Sequence, residues 1–334
     1  GGSIIDAHVS EGDQSSGTVN IVAAGLLMNA GAGVGSETNR IETNVFTVSA
    51  HAETEGMYLY DTTSVTVGQV SVTSQRVQED ASLANAVSDL SGPVVDEQSD
   101  LQTMAGGDLV LGAAAITVAE DALVQAANGD VQLLASGNIT LSNSASLDAV
   151  NGNLEVTSTG GNIEVNDGVI SAGGNLELTS ALDTMLTATV AATGESKLTA
   201  GGDLSMIGDY TGGGDITIDV TGITAITNTG EDAFTAGASL DLASAGTATL
   251  TGRFDVTATS LLTVGDETNI SSLVVDGTYT GLGNVELDVT GATAIDGSFT
   301  VGDDDANDDS TFVLNGKGAI ALGSEVEGIT FDVA

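Results

Sequence analysis

GGDLVLGAAAITVAEDALVQAANGDVQLLASGNITLSNSASLDAVNGNLEVTSTGGNIEVNDGVISAGGNLEL, Gly106 to Leu178, is the stretch that decides the fold. A hexad recurs in it: Gly or Asn, then Gly, then Asp or Asn, then apolar–any–apolar. It reads GGDLVL from Gly106, NGDVQL from Asn128, NGNLEV from Asn151 and GGNLEL from Gly173, and recurs as GGDLSM from Gly201. The second residues, Gly107, Gly129, Gly152, Gly174 and Gly202, are 22, 23, 22 and 28 positions apart. A period of roughly 20–50 residues is the signature of a solenoid, in which one repeat cannot bury its apolar face alone.

Each coil has room for three short strands. The hexad supplies the first. GNITL from Gly137 and GNIEV from Gly161 supply the second. The third is read as an apolar residue followed two positions on by alanine: Val124 with Ala126, Leu147 with Ala149, Ile170 with Ala172, and Leu198 with Ala200. The Gly-Asx corners suggest glycine in the left-handed region and an Asx side chain bonded to the backbone two residues on. Stacking makes Leu109, Val131, Leu154 and Leu176 one interior column, and Leu111, Leu133, Val156 and Leu178 another. Glu155 and Glu177 then point outward in adjacent coils. Dividing the chain by the period gives about 15 coils and a rod about 70 Å long. A globular sandwich with irregular loops is the alternative.

Outside this stretch the period persists. GDITI from Gly214 recurs as GNVEL from Gly283, and DVTGITAI and DVTGATAI follow the two copies. Tyr210, Phe234, Phe254, Tyr279 and Phe299 are 24, 20, 25 and 20 apart, one aromatic per coil. That spacing predicts a stacked ladder rather than a sugar-binding platform. The whole of 1–334 therefore reads as all-β: a single parallel β-solenoid of about 22-residue, three-strand coils. Two stretches break the rhythm. Residues 74–100 hold the only proline, Pro93, and apolar residues at helical spacing (Val77, Ala81, Ala84, Val87), so an excursion packed on the rod with a short helix is expected there. Residues 302–310, GDDDANDDS, form an acidic loop.

Composition narrows the functions. Of 334 residues 47 are Asp or Glu, against five basic residues, Arg40, Arg76, Lys197, Arg253 and Lys317. A net charge of −42 argues against nucleic acid and anionic membrane surfaces as partners and favours cations. The 41% hydrophobic content argues against disorder. Without cysteine there is neither a disulfide framework nor a thiolate metal site. The longest apolar run, Ile21 to Met28, is far short of a membrane span, so no insertion is expected. The opening GGSIIDAHVS has no basic or apolar leader region, so any secretion signal is expected outside this sequence.

The repeat style resembles the giant filamentous-haemagglutinin-like bacterial adhesins, exoproteins rich in GGDLxL and GGNIxV repeats. GAGVGSETNRIETNVFTVSAHAETEGMYLYDTTSVTVGQV, Gly31 to Val70, is similar to a recurrent block of those proteins. The resemblance implies a right-handed β-helix at the cell surface, used for adhesion or for building a matrix, filament or sheath. The Asn-Pro-Asn motif of the family's secretion domain is absent from this sequence.

No catalytic constellation stands out. His8 and His51 are 43 residues apart and read as surface histidines. The basic residues are too scattered for a polysaccharide lyase, and no GK[ST] follows any glycine turn. Metal binding is the open question. Asp303, Asp305, Asn307 and Asp309 place oxygen ligands at alternate positions, as in the first half of a calcium loop. Asp308 and Leu314 then stand where an EF-hand needs glycine and glutamate, so a Ca2+ site and a solvated acidic loop both remain open. The functional expectation is a non-catalytic extracellular rod. Its partners would be copies of itself or neighbouring coils of a longer chain, together with divalent cations. A calcium-dependent receptor- or glycan-binding module and a polysaccharide-active enzyme are the rivals.

Overall fold

The structure is a computed structural model that describes residues 2–6, 19–73, 75–77, 83–85, 95–228, 233–265, 270–302, 311–316 and 318–322. It is an all-β stack of parallel coils with three faces. On the first face eleven strands pair in parallel, from Met57–Asp61 through Leu109–Ala113 to Phe312–Gly316. The isolated bridges Ile4–Val34 and Val34–Met57 continue this face toward the start of the chain. Ten steps between eleven strands span about 48 Å. There are thus about 11 turns, fewer than the 15 expected from dividing length by period. The antiparallel strands that leave the stack between Val70 and Gln98 and the irregular first coils account for much of the difference.

The register follows side-chain alternation. Leu109, Val131, Leu154 and Leu176 are successive partners, as are Leu111, Leu133, Val156 and Leu178, and all are at most 1% exposed. Full burial of each such side chain contributes about 1.5–3 kcal/mol. The second face carries Ile139 beside Ile163, as the GNIxL and GNIxV copies predict. On the third face Val124, Leu147, Ile170 and Val190 are in line, and the column passes into Tyr210, Phe234, Phe254, Tyr279 and Phe299. The first four pairs of rings lie 4.7–6.2 Å apart between centroids, and Phe312 closes the ladder edge-on at 5.3 Å.

Four local expectations need correction. Leu198 and Ala200 belong to the first face, beside Leu178 and Ser180, and the third-face pair of that coil is Val190 and Ala192. The coil there shortens to 20 residues, and Thr193-Gly194-Glu195 replaces the expected Gly-Gly-Asx corner. As a result GGDLSM at Gly201 opens the second face, with Leu204 beside Thr184. Next, among the hexad glycines Gly107 takes the expected left-handed backbone, at φ 85°, whereas Gly129, Gly152, Gly174 and Gly202 do not and are required by close approach. A Cβ on Gly152 would lie 2.1 Å from the Gly129 carbonyl oxygen of the coil below. The left-handed residues other than glycine mark the corner before the third face, at Asp121, Ser144 and Asp167; a short polar side chain tolerates that region best.

The Asx side chains also bond differently from expectation. They reach the next coil rather than two residues on. Oδ1 of Asp130 accepts the Asn153 N–H at 2.7 Å, Asn153 Oδ1 that of Asn175 at 2.9 Å, and Asn175 Oδ1 that of Glu195 at 2.9 Å. A parallel ladder runs up the second corner through Asn138, Asn162, Asp183 and Asp203. Near the start of the chain the buried Asp61 carboxylate accepts bonds from Thr43 Oγ1, Val45 N–H, and the N–H and Oγ1 of Thr63, at 2.7–2.9 Å. These bonds satisfy a charge that burial would otherwise penalise.

The expected helix in 74–100 gives way to an antiparallel arm among its described residues. Val70–Thr73 pairs with Val95–Gln98, and Gln75–Val77 with Leu83–Asn85. Val77 and Ala84 are therefore strand residues. Ala81 and Val87 lie outside the described residues. The arm's root packs on the rod through Val70, which is 6% exposed and within 3.4 Å of where a Cβ on Gly25 would stand. Among the described residues no helix is long and apolar enough to cross a membrane.

Candidate functional site

The outer side of the first face carries the most varied chemistry among the described residues. Its first outward row is Tyr58, Val110, Gln132, Glu155, Glu177, Lys197 and Thr217, each the strand partner of the next. Beside it run the corner residues Asp108, Asp130, Asn153, Asn175, Glu195 and Asp215. Row and corner together border two separate hollows. One, of about 270 Å³, is lined by Glu37, Arg40, Tyr58, Asp108, Val110, Asp130, Val131, Gln132, Asn153 and Glu155. The other, of about 300 Å³, is lined by Asn175, Leu176, Glu177, Glu195, Ser196, Lys197, Asp215 and Thr217.

Hydrogen bonds fix much of this lining. Gln132 Nε2 donates to Glu155 Oε2 at 2.6 Å, and Lys197 Nζ to Glu177 Oε1 at 3.0 Å. The outward glutamates Glu155 and Glu177 are thus strand neighbours with an amide on one side and an ammonium on the other. Asp108 Oδ1 accepts the Asp130 N–H at 3.0 Å, and its Oδ2 accepts from the Tyr58 hydroxyl at 3.4 Å. Burial, then Asp108, raises the Tyr58 phenol above its ordinary pKa. Arg40 lies over Gly112 beside the Tyr60 ring, where a Cβ would meet that ring at 2.8 Å. Its Nε is covered and has no hydrogen-bond partner. Burial lowers its pKa, while Tyr60 and Glu37 act the other way. Asp215, on the corner row, is held below its ordinary pKa by the Ser239 hydroxyl and N–H.

The site residues expected from sequence fall elsewhere. Asp303, Asp305, Asn307 and Asp309 lie outside the described residues, as does His8. Among the described residues no group of three or more His, Asp and Glu is placed to hold a metal ion. His51 is half-buried rather than free on the surface, and burial depresses its pKa against the opposing pull of Asp100. Tyr58, Arg40, Gln132 and Lys197 were not singled out as site residues from sequence. Their shared face becomes visible only after the coil register is assigned, because Tyr58 and Val110 are strand partners 52 positions apart across the arm. Comparison with protein-family models, with curated proteins and with solved structures finds no match to this chain.

Proposed function

We propose that this chain is a non-catalytic, exported rod, a stretch of a bacterial surface adhesin, filament or sheath. Copies of the chain, or neighbouring coils of a longer polypeptide, would continue the stack. The observation that carries this reading is the uniformity of the joint between coils. From Met57 to Phe312 the same parallel pairing binds each coil to its neighbours, and the Asx corner bond recurs at most steps. Such a stack is held by nearest-neighbour contacts and extends by repetition. The acidic surface suits a solvated exterior, and the style of the repeats resembles that of the giant adhesins named above. Protease treatment of intact producing cells tests the placement. Release of peptides from this chain without cell lysis is expected, and recovery of the chain solely from the cytosol would contradict it.

A further inference from the structure

We infer that the outer side of the second face pairs with the same face of a second copy, the two rods lying side by side and antiparallel. Beyond Glu164 the central outward row of this face reads Met185, Ser205, Ala225, Thr249, Val274, Ala294 and Ala321, each the strand partner of the next. No residue of that row is charged, in a chain of net charge −42. Along the same coils the first face carries Glu177, Asp219, Asp241, Glu286 and Asp288 on its outer side, and the third face carries Asp255. The described carboxylates of the second face itself, Asp183, Asp203, Asp276 and Asp296, stand on its two border rows. Like-charged rods can approach closely only where neither presents carboxylates at the centre of contact. A border stays wet in an interface and tolerates charge. Met185, Ile207 and Ile223 stand on three successive coils of this face, each 38–50% exposed, so it also offers apolar surface to a partner.

Side-chain size sets the direction. The face is bulky at its Met185 end and small at the other, where Ala292, Ala294, Ala319 and Ala321 stand outward. An antiparallel pair with its two-fold axis at Thr249 puts Met185 opposite Ala321, Ser205 opposite Ala294, and Ala225 opposite Val274. The border carboxylates then meet neutral residues: Asp183 and Asp203 face Ala319 and Ala292, and Asp276 and Asp296 face Thr227 and Ile207. A parallel pair would set bulk against bulk at one end and hold the alanines apart at the other, which close packing disfavours. Six steps between coils make the face about 29 Å long, and four residues between border rows make it about 13 Å wide, or roughly 400 Å² in plan on each copy. Two such faces bury an area in the range of weak, reversible complexes.

This pairing goes beyond the end-to-end stacking proposed above, and mass per unit length separates the two because only lateral pairing doubles it. Small-angle X-ray scattering of the whole chain in moderate sodium chloride, from micromolar to millimolar concentration, reads that quantity. A rise of about twofold across the series is expected. Thr249→Asp and Thr249→Lys each set like charges together at the two-fold axis and should weaken pairing about tenfold or more, with the strand circular dichroism signal retained. An equimolar mixture of the two should restore it. The same two substitutions at Ser205 should give no recovery on mixing, because Ala294 lies across from that residue. A single-rod mass for the unmodified chain at every concentration would overturn the proposal, whether or not a variant folds. So would undiminished pairing of the Thr249 variants, no recovery in their mixture, or recovery in the Ser205 mixture. Long filaments of single width would remove this pairing and leave the end-to-end reading, whereas paired rods one unit long would do the reverse.

Discussion

Tyr210 and Ser196 belong to one coil, and their hydroxyls face each other across its interior, each residue 1–2% exposed. They stop short of regular hydrogen-bond geometry, and neither oxygen has another partner. Tyr279 and Ser260 repeat the arrangement. The same two positions hold Ile216 with Phe234, Leu240 with Phe254, and Val285 with Phe299 in the other ladder coils. Serine thus accompanies tyrosine, and a larger apolar residue accompanies phenylalanine.

This pairing predicts coupling. Tyr210→Phe should cost about 0.5–1.5 kcal/mol, because Ser196 is left buried alone. Ser196→Val should cost about 1–3 kcal/mol through crowding and a stranded phenol. The double variant recreates the Phe-type coil and should lie within about 0.5 kcal/mol of the parent. Denaturant melts of all four proteins give the coupling, and strictly additive losses would contradict it.

Alkali should unfold the rod through the same residues. Burial pushes the Tyr210 and Tyr279 phenols well above their ordinary value, with the facing serines pulling partly back. A raised folded pKa means that stability is full below the unfolded value near 10 and is lost as pH climbs toward the folded one. Phenolate absorbance from these two residues should appear together with loss of the strand circular dichroism signal. Reversible ionisation of every tyrosine with the strand signal intact would count against their burial.

The corner ladder makes a positional prediction. Gly152→Ala drives a Cβ into the Gly129 carbonyl and should cost about 3 kcal/mol, at the top of the usual overpacking range. Gly106→Ala should be almost silent, since its Cβ would meet nothing closer than 3.8 Å and later copies carry Asn128 and Asn151 there. Asn153→Ala frees the Asn175 N–H and should cost about 1 kcal/mol. Equal losses at Gly106 and Gly152 would show that close approach is not the reason for glycine.

Salt should stabilise the rod. The net charge is −42, and the described residues contain two ion pairs, Lys197–Glu177 and Arg253–Asp255. Screening therefore removes more repulsion than attraction. The melting temperature should rise by several degrees from low to moderate sodium chloride. Glu155→Gln, which relieves the stacked Glu155–Glu177 pair, should raise it at low salt by an amount equivalent to about 0.2–1 kcal/mol. A melting temperature that falls with salt would contradict this balance.

The period and the interior columns were legible because the Leu and Val positions recur at 22 or 23 residues with strict alternation. The aromatic ladder is legible because one aromatic recurs per coil, at spacings of 20 to 25 residues. The coil at Lys197 was misread because the hexad motif occurs at two different corners, and shortening to 20 residues moves it from one to the other. Corner chemistry was misread because an Asx side chain reaches equally well two residues on or one coil up, and only stacking decides between them. The arm defeated the helical pattern because strand pairing between Val70–Thr73 and Val95–Gln98 overrode a local 3.6-residue spacing. The outward row from Tyr58 to Thr217 is hidden in the sequence because its residues meet only through long-range register.

Negative-stain electron microscopy of the purified chain over a range of concentrations tests the mechanical reading most directly. The eleven first-face strands set a unit about 48 Å long. The account predicts stiff rods of constant width that join end to end into filaments many times that length, more so at moderate salt. Isolated particles of about one unit length at every concentration and salt would contradict it.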